Sequence, residues 1–469
     1  MQEKFGVSGG LYFRLIFAYS GNMLPPVPGL VRWLYLDLNS YFASVEQQLR
    51  PELRNRPVAV IPVEAETTCC IAASYEAKAF GVQTGTPVKE ARRLCPEIVF
   101  VLAQHREYAR FHHLVLGAVD RCLPVDRVFS VDEIGCRLTG SQCQPEKALA
   151  IARSLKERIR MDVGECLRCS IGLAPNSLLA KIATDMEKPD GLVLLDVKDL
   201  PEILCQLQLR DIPGIGRRME ARLRAKGICS MRDLLAFDTR QMRAAWGNLY
   251  GERYWYWLRG YEFDGPASVP RSVGHQHVLP PRLRTLEKAE AVAQKMLAQA
   301  ASRLRSKNLW ARSLSVSLGF SKENQPRSWH GHARTLETQN IFALLEAFKR
   351  IWANCPPGTP VFVGIQLSDL VPGVQHSEVF FPEEQKRQKL SLTMDSIRTQ
   401  FGENALYLGG THVVRDTDMA KVAFASIPDP KSFPDSASTR SAATGKKQPG
   451  PGPGIRPYRS RHPLDQGIG

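Results

Sequence analysis

The sequence predicts an α+β protein with several domains. At 469 residues, the chain is longer than one hydrophobic core usually organises, so two or more domains are expected. Short apolar runs typical of strands alternate with longer amphipathic runs typical of helices along most of the chain. Residues 261–270 are rich in Gly, Pro and acidic side chains and indicate a linker. After the linker the pattern predicts strand, helix, strand, strand, helix and strand, in that order.

The first predicted strand is a buried run at residues 33–40 with one carboxylate, Asp37, near its end. A helical pattern begins directly afterwards at Tyr41. A carboxylate at the end of a strand that leads into a helix is well placed for a metal-bound phosphate. Asp37 is therefore the first candidate metal ligand.

Two further carboxylates, Asp132 and Glu133, lie in the otherwise apolar run 128–135. Ionised side chains cannot be buried unpaired, so the two carboxylates lie exposed at an acidic hairpin tip, pair with a basic side chain, or bind a divalent cation. The cation is the alternative that also provides chemistry. Neighbouring strand residues point to opposite faces, so a shared site requires a bend, which Gly135 would permit. Together with Asp37, the pair predicts a two-metal site for displacement at phosphorus. One metal would activate an attacking hydroxyl and the other would hold a triphosphate.

Four segments, taken in chain order, resemble the motifs of the Y-family (translesion) DNA polymerases. These segments are residues 36–46, 74–82, 130–133 and 172–183. Residues 209–218 follow them and match a helix-hairpin-helix motif, whose alternative is a plain helical hairpin with Gly at its turn. The resemblance covers about residues 34–370.

The resemblance implies a right-hand polymerase with a ferredoxin-like palm, small fingers, a helix-hairpin-helix thumb and an α+β little finger. The implied boundaries are palm 31–40 and 104–188, fingers 41–103, thumb 189–259, linker 260–270 and little finger 271–370. Residues 371–427 form a C-terminal segment, and residues 428–469, rich in Ser, Pro, Gly, Lys and Arg, predict a disordered basic tail. Residues 1–30 precede the family's usual first strand and are an N-terminal extension. Met23 is a second hypothesis for the start beside Met1, and sequencing the N-terminus of natively expressed protein tests it.

The resemblance also assigns roles to the acidic residues. It implies that Asp37 and Asp132 bridge two Mg²⁺ ions and that Glu133 ligates the catalytic one. The main-chain carbonyl of Leu38 completes the coordination on the nucleotide side. Asn39 replaces an acid found in many relatives, and metal binding is expected to persist because the three carboxylates remain.

Five residues are implied to bind the incoming nucleotide. They are Tyr41, Phe42, Tyr75, Lys78 and Lys181. Phe42 occupies the family's steric-gate position, where a bulky ring clashes with a ribose 2′-hydroxyl; the alternative is a core aromatic on an amphipathic helix. Lys78 stands where many members carry Arg, so a point charge replaces a bidentate fork and weaker nucleotide binding is expected.

The formal net charge of +15 and a pI near 9.4 favour an anionic partner, first nucleic acid and second an acidic membrane surface. A basic protein with a basic tail is the plain alternative. DNA-binding candidates are Gly214, Gly216 and Arg217 in the hairpin, together with Arg312. Alternating Arg and apolar residues near Arg312 would place basic side chains on one face of a sheet.

The expected partners are primer-template DNA and dNTPs. The peptide from Gln375 to Phe380 loosely resembles one that docks a sliding clamp. The sequence contains no apolar run of about 18 residues, so no membrane partner is expected. No Cys pattern completes a zinc site, so reduced thiols in a cytoplasmic protein are expected. A monomer associated with DNA is the expected state.

Three functions of different classes follow. The first is a low-fidelity, template-directed polymerase that extends primers past damaged bases. The second is a catalytically silent relative that acts as a scaffold on DNA or a clamp, and the third is another palm-type enzyme such as a nucleotide cyclase. Because silent relatives lose the acidic set and a cyclase needs no helix-hairpin-helix, the sequence favours the polymerase.

Overall fold

Strand β1 (Trp33–Leu38) lies at the centre of a five-stranded sheet in the computed structural model. All six of its residues are buried, because helices cover both faces of the sheet. Strands β6 (Glu133–Arg137) and β7 (Cys169–Ala174) flank β1 and run antiparallel to it. Strands β5 (Arg127–Val128) and β8 (Leu192–Leu194) form the edges, which gives the order β5-β6-β1-β7-β8.

The structure describes residues 30–262, 270–321, 323–376, 381–402, 404–417 and 427. Several sequence predictions fall outside these residues. They are the N-terminal extension up to residue 29, linker residues 263–269, residues 377–380 of the candidate clamp peptide, and the tail from residue 428 onward. All described residues belong to the unit 1–433, and the second unit, 434–469, lies outside them.

Four helices pack directly around this central sheet. They are α1 (Tyr41–Leu49), α4 (His105–Asp120), α5 (Pro145–Asp162) and α6 (Ser177–Met186). The three leucines of β1 share one core with α1, α4 and α5, whereas Trp33 and Tyr35 share another with α6. Alternation along the strand assigns Asp37 to the same face as Tyr35, so its carboxylate emerges on the α6 side.

A small three-stranded sheet is inserted between α1 and α4. Its strands are β2 (Val58–Ile61), β3 (Ala72–Ala73) and β4 (Val99–Leu102), and its helices are α2 (Tyr75–Ala79) and α3 (Val88–Leu94). Strand β2 pairs in parallel with β4 and antiparallel with β3. This insertion carries Tyr75 and Lys78 on α2.

Helices follow the central sheet and extend its second core. They are α7 (Glu202–Cys205), α8 (Arg217–Arg224), α9 (Met231–Ala236), α10 (Thr239–Trp246) and α11 (Leu249–Trp257). Short 3₁₀ turns occur along the described chain at Pro51–Leu53, Gly140–Cys143, Val197–Asp199, Leu209–Asp211, Pro281–Leu283, Gly373–Gln375 and Gly409–Val414.

The C-terminal sheet has four antiparallel strands in the order β11-β10-β12-β9. Its elements are β9 (Ser272–Val278), α12 (Leu286–Ser306), β10 (Leu309–Phe320), β11 (Ser328–Thr338), α13 (Ile341–Trp352) and β12 (Pro360–Pro372). This order of strands and helices confirms the sequence prediction for the region after the linker. The predicted α+β fold class is confirmed as well. A last helix, α14 (Pro382–Phe401), is attached through Arg305, whose guanidinium donates to both carboxylate oxygens of Asp395 at 2.5 and 2.9 Å.

Candidate active site

Three predicted carboxylates converge at one end of the central sheet. Asp37 on β1 lies opposite Glu133, the first residue of β6, and the Leu38 amide donates to the Asp132 carbonyl at 2.8 Å. The amides of Phe129 and Ser130 both donate to the Glu133 carbonyl, at 2.9 and 3.3 Å, so a tight turn ends at Asp132. This turn supplies the bend that a shared site requires.

Gly135 does not provide that bend, so this part of the sequence prediction was wrong. Gly135 lies within β6, where a Cβ would come within 2.7 Å of the Phe129 ring and 2.9 Å of the Trp33 ring. The glycine is required because two aromatic rings cross the strand there. The rings of Tyr35 and Phe129, with centroids 4.8 Å apart, pack beside the acidic turn.

Two ammonium groups lie among the carboxylates. Lys181 on α6 forms a salt bridge with Asp37, and its Nζ also lies 2.9 Å from Glu133 and 3.4 Å from Asp185. The Nζ of Lys188 lies 2.9 Å from Asp37 and 2.7 Å from Asp185. Burial opposes their charge, but the carboxylates, Asp37 foremost, hold the pKa of both lysines above its ordinary value.

Asp132 is the carboxylate that these lysines do not contact. Its Oδ1 accepts from the Ser130 hydroxyl at 2.5 Å. Burial raises the pKa of Asp132, and repulsion from Asp37 and Glu133 raises it further, although the Ser130 bond acts the other way. Four carboxylates against two ammonium groups leave an excess of negative charge that a cation would neutralise.

The donor set suits a hard divalent cation, because carboxylate oxygens are its preferred ligands. In the present geometry Lys181 occupies oxygens of Asp37 and Glu133. Accordingly, the described residues contain no group of three or more acidic, His or Cys side chains already arranged around a metal position. The residues fit the metal once Lys181 moves away from them.

The second side of the site is cationic and comes from α2. The Lys78 ammonium lies 4.3 Å from the Tyr75 ring centroid. Burial lowers the pKa of Lys78, and repulsion from Lys188 lowers it further. Lys78 and Lys188 therefore lie near enough to interact, and both of them and Tyr75 lie within electrostatic range of Asp37.

Lys188 belongs to this cluster, and the sequence analysis missed it because residues 188–191 were interpreted only as a turn. Its position is fixed by Asn39, whose Oδ1 accepts from the Asp190 amide at 2.8 Å. The side-chain Nδ2 of Asn39 donates to the Ser170 hydroxyl at 3.0 Å. Asn39 thus holds the turn that carries Lys188. The signal available in the sequence was a second lysine shortly after the end of α6 at Met186.

Tyr41 and Phe42 occupy different environments on α1. The Tyr41 hydroxyl is buried and donates to the Tyr108 carbonyl at 2.6 Å, so it is turned into the core rather than toward the carboxylates. The half-buried Phe42 ring stacks on Tyr108 with centroids 4.3 Å apart and planes 15° apart. Phe42 therefore combines core packing with partial exposure.

The predicted helix-hairpin-helix segment has the features of an element that binds a phosphate backbone. Gly214 is exposed at φ +90°, a conformation that L side chains rarely adopt, and the Tyr254 hydroxyl donates to the Pro213 carbonyl at 2.5 Å. Gly216 precedes α8 with open space around it, and Arg217 and Arg218 are exposed. Exposed amides at a helix start beside two cations favour a phosphate.

Arg312 lies apart from both groups, on the C-terminal sheet. It falls at an irregularity of β10 between Ala311 and Ser313, and its Nε donates to Glu337 at 3.0 Å. The prediction of a basic face from alternating arginines was wrong, because the uncovered face of β10 presents serines. A shallow trough of about 360 Å³ crosses that face, lined by Gln276, Ser315, Ser317, His330, His332 and Gln366.

The fold and the site together define a nucleotidyl-transferring enzyme of the palm type with an appended helical hairpin. Comparison with known proteins is more specific. Residues 36–185 match the model of the impB/mucB/samB family, and residues 270–379 match that of its C-terminal domain. The chain is 35% identical over 387 residues to DNA polymerase IV of Moorella thermoacetica, covering 80% of this chain and 94% of that protein. It is 33% identical over 382 residues to DNA polymerase IV of Pelotomaculum thermopropionicum, covering 80% and 93%.

A solved Y-family DNA polymerase chimera has the same fold, with a TM-score of 0.61 and 21% identity over 73% of this chain and 99% of that one. The family models and the two relatives show that the chain belongs to the Y family of DNA polymerases. It is a DNA-directed DNA polymerase of the translesion class, and the scaffold alternative is not favoured. Within the described residues, no helix is long and apolar enough to cross a membrane.

Proposed function

We propose that the chain extends a DNA primer at the Asp37–Asp132–Glu133 cluster by nucleotidyl transfer dependent on two Mg²⁺ ions. The observation that carries the proposal is the convergence of these carboxylates at the end of β1, where Lys181 and Lys188 pair with Asp37. The primer 3′-hydroxyl attacks the α-phosphorus of a dNTP, a new P–O bond forms, and pyrophosphate leaves with the electrons of the broken bond. Bound Mg²⁺ supplies activation of the hydroxyl and neutralisation of the phosphates.

The protein's own side chains bind and orient the reactants. Asp37 and Asp132 would hold both ions, with Glu133 and the Leu38 carbonyl as further ligands. Lys181 and Lys188 would leave the carboxylates for the triphosphate, joined by Lys78 and Tyr75. The Phe42 ring would lie under the sugar and exclude a 2′-hydroxyl.

We assign the central sheet to the palm, the inserted sheet to the fingers, the helices from α7 to α11 to the thumb, and the C-terminal sheet to the little finger. Primer-template DNA would lie along the thumb hairpin and the polar trough of the C-terminal sheet. A monomer is proposed, with residues 375–380 as a clamp-docking peptide. Binding of a purified clamp that is lost when this peptide is deleted tests the last assignment.

Primer extension on an undamaged template tests the proposed function. The wild type should extend with Mg²⁺ and dNTPs, and Asp132→Ala/Glu133→Ala should not, while both bind DNA equally. Primer extension by the double variant would contradict the proposal and show that the reaction depends on other residues. Failure of both proteins with intact DNA binding would instead support a silent scaffold.

Lys188→Ala is expected to raise the KM for dNTP about 30-fold with a smaller effect on kcat. The reason is the loss of one charge-assisted contact to the triphosphate, about 2 kcal/mol. Lys198→Ala is the matched control, because Lys198 is 75% exposed and its one ion pair is with Asp196 at 3.3 Å. Steady-state kinetics with a single dNTP distinguishes them, and an unchanged KM would remove Lys188 from the nucleotide site.

DNA affinity is expected to fall steeply with salt. For roughly six neutralised phosphates, the slope of log K against log[salt] is about −5. Arg217→Ala/Arg218→Ala should make the slope shallower by about 2 at constant base preference. Arg160→Ala, which removes an exposed arginine paired with Glu157, should leave it unchanged. A wild-type slope near zero would contradict phosphate-based binding.

A further inference from the structure

A carboxylate is completely buried beneath the proposed nucleotide site. Glu46 lies on α1, four residues after Phe42, and its side chain is 0% exposed. It is bonded to the Arg50 guanidinium, and it accepts from Gln104 Nε2 at 2.9 Å and from the Tyr108 hydroxyl at 2.6 Å. A buried, paired charge of this kind adds little stability over apolar side chains of the same size. The alternative explanation for the presence of Glu46 is a gain in conformational specificity.

Tyr108 links this carboxylate to Phe42. Its fully buried ring is the surface on which the Phe42 ring stacks, at 4.3 Å and 15°. The ring is held at its hydroxyl, which donates to Glu46, and the main chain of Tyr108 is held where its carbonyl accepts from the Tyr41 hydroxyl at 2.6 Å. The position of Phe42 therefore depends on a ring fixed by a hydrogen bond to a charged acceptor.

We infer that Glu46 is a positioning residue for sugar selection, acting through Tyr108 on Phe42. The inference rests on the proposed role of Phe42 as the barrier to a 2′-hydroxyl. The Phe42 ring can exclude the 2′-hydroxyl oxygen only if it cannot move away from the sugar. In this protein the Tyr108 ring packed behind Phe42 is held by its hydrogen bond to the buried Glu46. Loosening that anchor admits ribonucleotides without removing any group that touches the nucleotide.

The test measures kcat/KM for a dNTP and for the matching rNTP in Tyr108→Phe and in Glu46→Gln. Tyr108→Phe keeps the stacked ring and removes only the hydroxyl, so it serves if Glu46→Gln does not fold. Both variants are expected to lower the dNTP-to-rNTP ratio about tenfold. Glu107→Gln is the matched control, because Glu107 lies on the same helix as Tyr108 and pairs at the surface with Arg110 at 2.7 Å.

Combination with Phe42→Val separates positioning from general loosening of the fold. If Glu46 acts through Phe42, the ratio in Phe42→Val should not fall further when Tyr108→Phe is added. Equal losses for dNTP and rNTP, or an unchanged ratio in both single variants, would overturn the inference and leave the Phe42 barrier standing. An unchanged ratio in Phe42→Val itself would remove the barrier, and the inference with it.

Discussion

Asp132→Asn is expected to reduce primer extension more than about 1,000-fold while making the metal-free protein more stable. Asn keeps the shape and an acceptor for the Ser130 hydroxyl, so the loss of activity reports the missing negative charge. Stability rises because the charge of Asp132 is buried near Asp37 and Glu133. Single-nucleotide incorporation and thermal melting in EDTA measure the two effects.

The pH dependence gives the sign of the stability effect. The pKa of Asp132 is raised in the folded protein, so the folded state binds its proton more tightly than the unfolded state does. The buried charge of Asp132 therefore destabilises the folded protein fully at pH values above its folded-state pKa. This destabilisation disappears as the pH falls toward the pKa of Asp132 in the unfolded state. The melting temperatures of Asp132→Asn and wild type should converge in acid. Ser130→Ala serves as a control that keeps the carboxylate, and a less stable Asp132→Asn at neutral pH would contradict the argument.

Phe42→Val is expected to lower discrimination against ribonucleotides on the order of 100-fold. Removing the ring makes space for a 2′-hydroxyl, and about 2.7 kcal/mol of difference between the two transition states disappears. Competing dNTP and rNTP on one template measures the ratio directly. Because Phe42 also packs on Tyr108, a moderate loss of stability should accompany the change.

Phe401→Val, at a 67% exposed position on α14, is the corresponding control and should leave discrimination unchanged. If Phe42→Val lowers only stability and the ratio stays constant, Phe42 is a core aromatic. That alternative follows equally well from its place on an amphipathic helix.

The positions best predicted from sequence are those set by local periodicity. A buried run with one carboxylate near its end predicts both β1 and the position of Asp37 close to the end of that strand. The pattern after residue 271 likewise predicts the C-terminal sheet, because its helices and strands are long and regular.

The positions that were missed depend on contacts between distant segments. Lys188 reaches Asp37 only because Asn39 binds the turn at Asp190, and no local pattern shows that bond. Gly135 resembles a bend residue in sequence, and its role becomes clear only when the Trp33 and Phe129 rings meet over it. At Arg312, the irregularity of β10 breaks the alternation on which the prediction of a basic face depended.

If the proposed function holds, the lysines that lie among the carboxylates would also make metal and nucleotide binding mutually dependent. A metal ion that approaches Asp37 and Glu133 competes with the ammonium group of Lys181 for the same oxygens. A triphosphate offers that ammonium group a new anionic partner and so removes the competitor. By thermodynamic reciprocity, any factor by which nucleotide strengthens metal binding is the factor by which metal strengthens nucleotide binding. On the proposed function, the lysines would thus act as an internal counterion of the carboxylates, and the substrate itself would exchange that counterion for the metal.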